Sequence, residues 1–144
     1  MNVPRSARRR RGFTLMEVLL VLVILVMIGS IAVTALSSAQ RKAGIDTAKA
    51  QIEAFEQNLD VYRLSLNDYP STSDGLEALI NPPASADNRW GGPYLDAREI
   101  PLDPWGNSYQ YSYPGQNNQH KPDIWSMGPD RSEGSEDDVN NWTS

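Results

Sequence analysis

Cysteine is absent from the 144 residues, which excludes a disulfide framework, a thiol nucleophile and any Cys-based metal site. Histidine occurs once, as His120, in a polar stretch beside Lys121. No Ser-His-acid spacing supports a catalytic role for it, and carboxylate pairs such as Asp68 and Asp74 come with no other sign of acid–base machinery. The chain is therefore not expected to be an enzyme. Basic charge is scarce where nucleic acid would need it. Five of the 13 Lys and Arg residues (Arg5, Arg8, Arg9, Arg10 and Arg11) precede Gly12, and the other 8 face 18 Asp and Glu, a side-chain net of −10. Nucleic acid is excluded as a partner of such a body, because phosphate binding needs a basic patch. Proline is missing between Arg5 and Pro70, so no residue in that span forces a helix to break. The length leaves room for one small core and none for a large multi-domain enzyme.

What is present is segregated. The mean hydropathy of −0.49 hides an apolar run from Phe13 to Leu36 with a single charge, Glu17. As a helix rising ~1.5 Å per residue this run would be roughly 36 Å long, enough for a bilayer core of about 30 Å. Arg8 to Arg11 precede it and the acidic body follows it, so the positive-inside rule keeps the leader in the cytoplasm and sends the body across. From Ser37 the helix changes character: Ile45, Ala48, Ile52, Phe55, Leu59 and Tyr62 alternate spacings of three and four, one apolar stripe with a polar opposite face. Lys42/Asp46 and Lys49/Glu53 are i,i+4 pairs on that wet side. The pattern predicts one helix from about Thr14 to about Leu66. Asn67-Asp68-Tyr69-Pro70 ends it, and Asp74-Gly75-Leu76-Glu77 has the form of a capping box opening a short helix. Tyr109–Tyr113 and Asp123–Ser126 read as strands between turns at 101–107 and 114–118. The tail from Gly128 has no periodicity.

An ordinary signal peptide has an apolar core of ~7–15 residues and a small-x-small cleavage site. Ser37-Ser38-Ala39 could supply such a site, but the apolar run is too long for that class. On its other side stands Arg11-Gly12-Phe13-Thr14-Leu15-Met16-Glu17, which resembles the class III leader of type IV pilins and pseudopilins. The resemblance implies cleavage after Gly12 by a membrane prepilin peptidase and N-methylation of Phe13. An ionised carboxylate within a membrane helix costs about 2.5–3.5 kcal/mol on insertion scales and so seeks a partner. Once the leader is cut, the ammonium of Phe13, on the same chain or a neighbouring one, can serve Glu17. Only the correct axial stagger pairs every Glu17 in a bundle, so this charge sets assembly register. Relatives commonly bend the helix with a proline at the place of Thr34; here Gly29-Ser30 is the weak point that remains.

The body resembles the major pseudopilins of type II secretion through Tyr69–Leu79, Asp103–Tyr111, Asp123–Asp130 and the closing Asn141-Trp142. The resemblance implies an α+β, type IV pilin-like fold: a long N-terminal helix packed on a short helix and a small antiparallel sheet, with a C-terminal calcium loop. It divides the chain into a basic leader, 1–12, a transmembrane and assembly segment, 13–36, and a periplasmic domain, 37–144. Trp105 is expected on the core beside Tyr109 and Tyr111. The acidic stretch Asp130, Glu133, Glu136, Asp137 and Asp138 offers hard oxygen ligands without an EF-hand spacing. By resemblance it takes one Ca²⁺ through Asp130, Asp137 and Asp138 and the backbone oxygens of Met127 and Val139. Arg131 stands where relatives commonly carry Gly. The implied role is a structural subunit, anchored once in a Gram-negative-type inner membrane, that polymerises into a periplasmic pseudopilus driving folded proteins across the outer membrane. The implied partners are copies of the chain, minor pseudopilins, the peptidase, an inner-membrane assembly platform and an outer-membrane secretin. A type IV major pilin forming a surface fibre is the competing role, although fibre-forming pilins commonly close their C-terminal region with a disulfide, which this chain lacks. Mass spectrometry of the mature N-terminus checks the leader: N-methyl-Phe13 is expected, and a start near Gln40 or an intact Met1 would refute it.

Overall fold

The computed structural model describes residues 12–84, 86 and 88–142, with the backbone alone at residues 31–35. The basic leader ahead of Gly12 lies outside the described residues. The chain divides into two compact units, Met1–Ala39 and Gln40–Ser144, and one helix, α1 (Leu15–Leu66), belongs to both.

The predicted helix is found with both ends explained. Thr14 is its N-cap: the Glu17 N–H donates to the Thr14 hydroxyl at 3.3 Å and to its carbonyl at 3.1 Å, so an exposed first-turn donor is satisfied by the side chain just before the helix. At the other end Asn67 takes φ 65°, and its N–H closes on the Arg63 carbonyl at 2.7 Å, a left-handed cap that asparagine tolerates. Gly29-Ser30 does not break the helix; the Ser30 hydroxyl donates back to the Met27 carbonyl at 2.8 Å.

In the N-terminal unit, every apolar side chain described from Leu15 to Ile28 is exposed, between 45% and 81%. Among the described residues no helix is long and apolar enough to cross a membrane. The crossing expected of 13–36 includes residues 31–35, whose side chains lie outside the described residues.

In the C-terminal unit the periodic stripe is the core. Ala48, Ile52, Phe55, Leu59 and Tyr62 are buried, together with Leu76, Ala78, Leu79, Tyr109, Ile124 and Val139. Phe55 meets Tyr109 edge-on at 5.2 Å, an arrangement the ring quadrupoles favour. Trp105 packs on the core as expected, but its indole also lies over Gly44 of α1, where an added Cβ would come within 3.0 Å. Among the described residues no ion pair joins Lys42 to Asp46 or Lys49 to Glu53, in keeping with how little exposed pairs contribute.

The short helix departs from expectation. Asp74 does not cap it; its carboxylate accepts from the Ser71 hydroxyl at 2.6 Å, and Gly75 takes the N-cap place at φ 59° without a side-chain bond. The capping carboxylate is spent on the preceding turn, so only a single 3₁₀ turn, Leu76–Leu79, forms. It still delivers Leu76, Ala78 and Leu79 to the core.

The sheet has three antiparallel strands, β1 (Gln110–Ser112), β2 (Asp123–Ser126) and β3 (Val139–Asn140), in spatial order β1-β2-β3. Tyr111 faces Ile124, and Ser126 faces Val139. The third strand was not expected, since two residues inside an acidic tail carry no alternation; Val139 is its one apolar anchor. Replacing Phe55 by Ala removes the centre of this core and is expected to cost about 3–5 kcal/mol, measurable by urea unfolding.

Candidate functional site: the charged stem and the C-terminal loop

The two regions singled out by the sequence are built differently. At the head of α1, Gly12 and Phe13 are exposed, and Phe13 is 82% accessible. Glu17 follows in the third helical position, set by the Thr14 cap, where the N-terminal end of the helix dipole favours a negative charge. Its side chain is exposed among apolar neighbours.

The C-terminal loop, residues 127–138, is closed at its base by the Ser126–Val139 pair of the β2–β3 ladder. Its entrance is held by a buried acid. Asp103 accepts the Ser126 hydroxyl at 2.5 Å and the backbone N–H groups of Trp105 and Asn107 at 3.0 and 2.7 Å. Ser126 in turn accepts the Gly128 N–H at 3.1 Å, and the Asn107 amide reaches the Gly128 carbonyl at 3.4 Å. Gly128 has φ 65°, and a Cβ there would overlap the Asp137 carbonyl, so only glycine lets the two sides of the loop meet. Arg131 also adopts the left-handed region, φ 59°, a conformation that favours glycine. Its guanidinium donates to the Trp105 carbonyl at 3.5 Å.

The expected ligands are therefore in one loop, but not on one point. Asp130 accepts the Ser132 N–H at 3.0 Å, and Asp138 accepts the Gly134 N–H at 2.7 Å and the Ser135 hydroxyl at 3.3 Å. Asp137 alone is paired with a cation: its Oδ1 takes the guanidinium of Arg41 from α1. Among the described residues no three carboxylate or imidazole groups gather around a common centre. The donor chemistry nonetheless suits a hard divalent ion, being oxygen throughout. A positive group already stands on Asp137, and the close approach at Gly128 brings the backbone beside Met127 up to the segment that ends in Val139. Met127 opens the loop, and Val139 begins β3 just beyond it.

Two polar hubs escaped the sequence reading. Asp123, 2% exposed, accepts the backbone N–H groups of Gln116, Asn117 and Asn118 at 2.8–2.9 Å, and so folds the 114–118 turn. Asn141 accepts the Ile124 N–H and the Asn118 amide, while its own amide donates to Glu56 at 3.0 Å and to the Pro122 carbonyl at 2.9 Å. An Asn-x-Thr triplet begins at Asn141, but its amide is wholly engaged in tertiary bonds. The GQNN and NNW spacings carried no signal for either hub, because both depend on long-range pairing. His120 is exposed. Asp68 and Asp74 line one open hollow of about 240 Å³ with Arg89, where Asp68 accepts from the Tyr113 hydroxyl and Asp74 from the Ser71 hydroxyl.

Residues 35–142 match the family described as type II secretion system protein G, and residues 7–36 match the prokaryotic N-terminal methylation motif. The type II secretion system core protein G of Aeromonas hydrophila is 45% identical over 139 residues, covering 94% of each chain. That of Escherichia coli K12 is 39% identical over 142 residues, covering 96% of this chain and 94% of the relative. The crystal structure of the major pseudopilin from the type 2 secretion system of enterohaemorrhagic Escherichia coli gives a TM-score of 0.63 at 39% identity, covering 74% of this chain and 93% of that one. A methylation motif heading a long helix, with a small three-stranded α+β body behind it, defines a pseudopilin, a structural and not a catalytic class. The chain belongs to the type II secretion system protein G family, the major pseudopilins, and not to the surface-fibre pilins.

Ionisation links these hubs to pH. Burial alone would raise the Asp123 carboxyl, but donation from Asn117, Asn118 and Gln116 outweighs it and holds the group below its ordinary 3.8. A lowered folded value means that this stabilisation is full above pH 3.8 and fades as pH falls through the folded pKa. Burial pushes the opposite way on tyrosine: Tyr69, also bonded to Asp60, and Tyr109 are raised to about 12, so their contribution is full below pH 10 and fades as pH climbs towards 12. Unfolding midpoints measured across pH are expected to fall at both ends. Asp123→Asn should lower the plateau by about 1–3 kcal/mol and flatten the acid limb.

Proposed function

We propose that this chain is cut after Gly12, methylated at Phe13 and polymerised into the periplasmic pseudopilus, which helps to drive folded proteins across the outer membrane. The observation that carries this is the stem: Phe13 and the apolar residues from Leu15 to Ile28 are at least 45% exposed, with Glu17 as their one charge. Apolar surface so continuous marks an interaction site. Before assembly the occupant is lipid, with residues 31–36 extending the apolar run of 15–30 to the length of a single inner-membrane span. After assembly the occupants are the stems of other copies, and the Phe13 ammonium of one copy meets Glu17 of another. The body then lies in the periplasm. Minor pseudopilins, the prepilin peptidase, an inner-membrane platform and the outer-membrane secretin are its further partners, and the energy comes from a cytoplasmic ATPase and not from this chain.

The C-terminal loop takes one Ca²⁺, which supplies a divalent charge to cross-link acidic oxygens. Asp130, Asp137 and Asp138 would hold it with the carbonyls of Met127 and Val139. Support comes from the all-oxygen donor set and from the cation already standing on Asp137. Asp130 and Asp138 are engaged with loop N–H and hydroxyl groups, so ion uptake is coupled to a local rearrangement.

Glu17→Gln removes the charge and keeps the volume. Processing after Gly12 should continue, whereas secretion of folded substrate is expected to fall at least about tenfold, equivalent to about 1.4 kcal/mol in all. Normal secretion by this variant would overturn the role given to Glu17.

A further inference from the structure

We infer that Arg41 sets the affinity of the C-terminal loop for a divalent cation by competing with it for Asp137. This rests on the calcium assignment proposed for the loop. Arg41 sits on α1 and Asp137 lies 96 residues further along the chain, yet the guanidinium meets the Asp137 Oδ1. The two partners are unequal. The Asp137 side chain is 26% exposed and that of Arg41 55%. Asp137 is also fixed from other directions: its N–H donates to the Ser135 hydroxyl at 3.3 Å, and its carbonyl abuts Gly128. Arg41 thus docks from the wet side onto a carboxylate that the loop has already set in place.

A divalent ion needs that same carboxylate. Binding it there leaves a guanidinium within a few ångströms of a doubly positive charge, or displaces it, and either outcome weakens the ion's net gain. The other nearby cation, Arg131, is held on the Trp105 carbonyl and does not share Asp137. Arg41 is therefore an internal stand-in that steadies the loop when the ion is scarce and raises the concentration needed to load it. By linkage, whatever Arg41 contributes to the ion-free loop is lost from the ion's apparent affinity.

The test uses the full chain in detergent, with Ca²⁺ alone as the probe, titrated calorimetrically and followed by melting in chelator and in saturating calcium. Arg41→Gln is expected to bind Ca²⁺ about two- to fivefold more tightly, the range for a partly exposed charge pair. It should melt below the parent in chelator and together with it in calcium. Arg41→Lys, which keeps the charge without the fork, should bind less tightly than Arg41→Gln, and it carries the comparison if Arg41→Gln fails to fold. Unchanged or weaker binding by Arg41→Gln, with the parent still taking calcium, would overturn the competition and spare the calcium assignment. Absence of binding in every chain would overturn the calcium assignment, and the competition with it.

Discussion

A single helix in this molecule faces two surroundings, and only one of them is supplied by its own chain. Along residues 45–62 the apolar stripe of α1 is closed over by Leu76, Leu79, Tyr109, Ile124 and Val139. Along residues 13–28 nothing in the described chain closes over it. At roughly 25 cal/mol per Å² of apolar area removed from water, a fully apolar stem is a large unfavourable surface until lipid or another stem covers it. That imbalance, and the lone carboxylate within it, makes the chain a subunit. The small body could fold by itself on its own stripe, but the stem gives it a reason to gather.

The body meets the problem of a small core without disulfides by using buried polar hubs. Asp103 ties the Pro104-Trp105-Gly106-Asn107 turn to Ser126, Asp123 folds the turn before β2, and Asn141 joins α1, β2 and the 118–122 region. Each would be costly if half-satisfied. Among the described residues no buried side-chain nitrogen or oxygen lacks a partner. The same network roots the C-terminal loop, because the Asp103–Ser126–Gly128 chain of bonds fixes where that loop departs from the sheet.

Much of this was legible in the residues. The three-and-four spacing from Ile45 to Tyr62 named the buried face of α1, and the absence of proline before Pro70 gave its length, because helix periodicity is a local property. The Gly12-Phe13…Glu17 motif was equally local. What was missed depends on partners far along the chain. Val139 and Asn140 form a strand only because β2 is there to receive them. Asp74 looked like a helix cap because Asp-Gly-Leu-Glu has that form, but Ser71 claims its carboxylate first. The acidic loop showed its carboxylates plainly, whereas the engagement of Asp137 by Arg41 bridges segments that no sequence window contains.

The sheet carries a consequence for a protein that lives crowded against its own copies. Its two border strands are three and two residues long, and the four-residue strand lies between them. Borders so brief offer little template for backbone ladders between molecules. Neighbours packed side by side at high density thus have few ways to zip together through their sheets, and orderly contact is left to the helices.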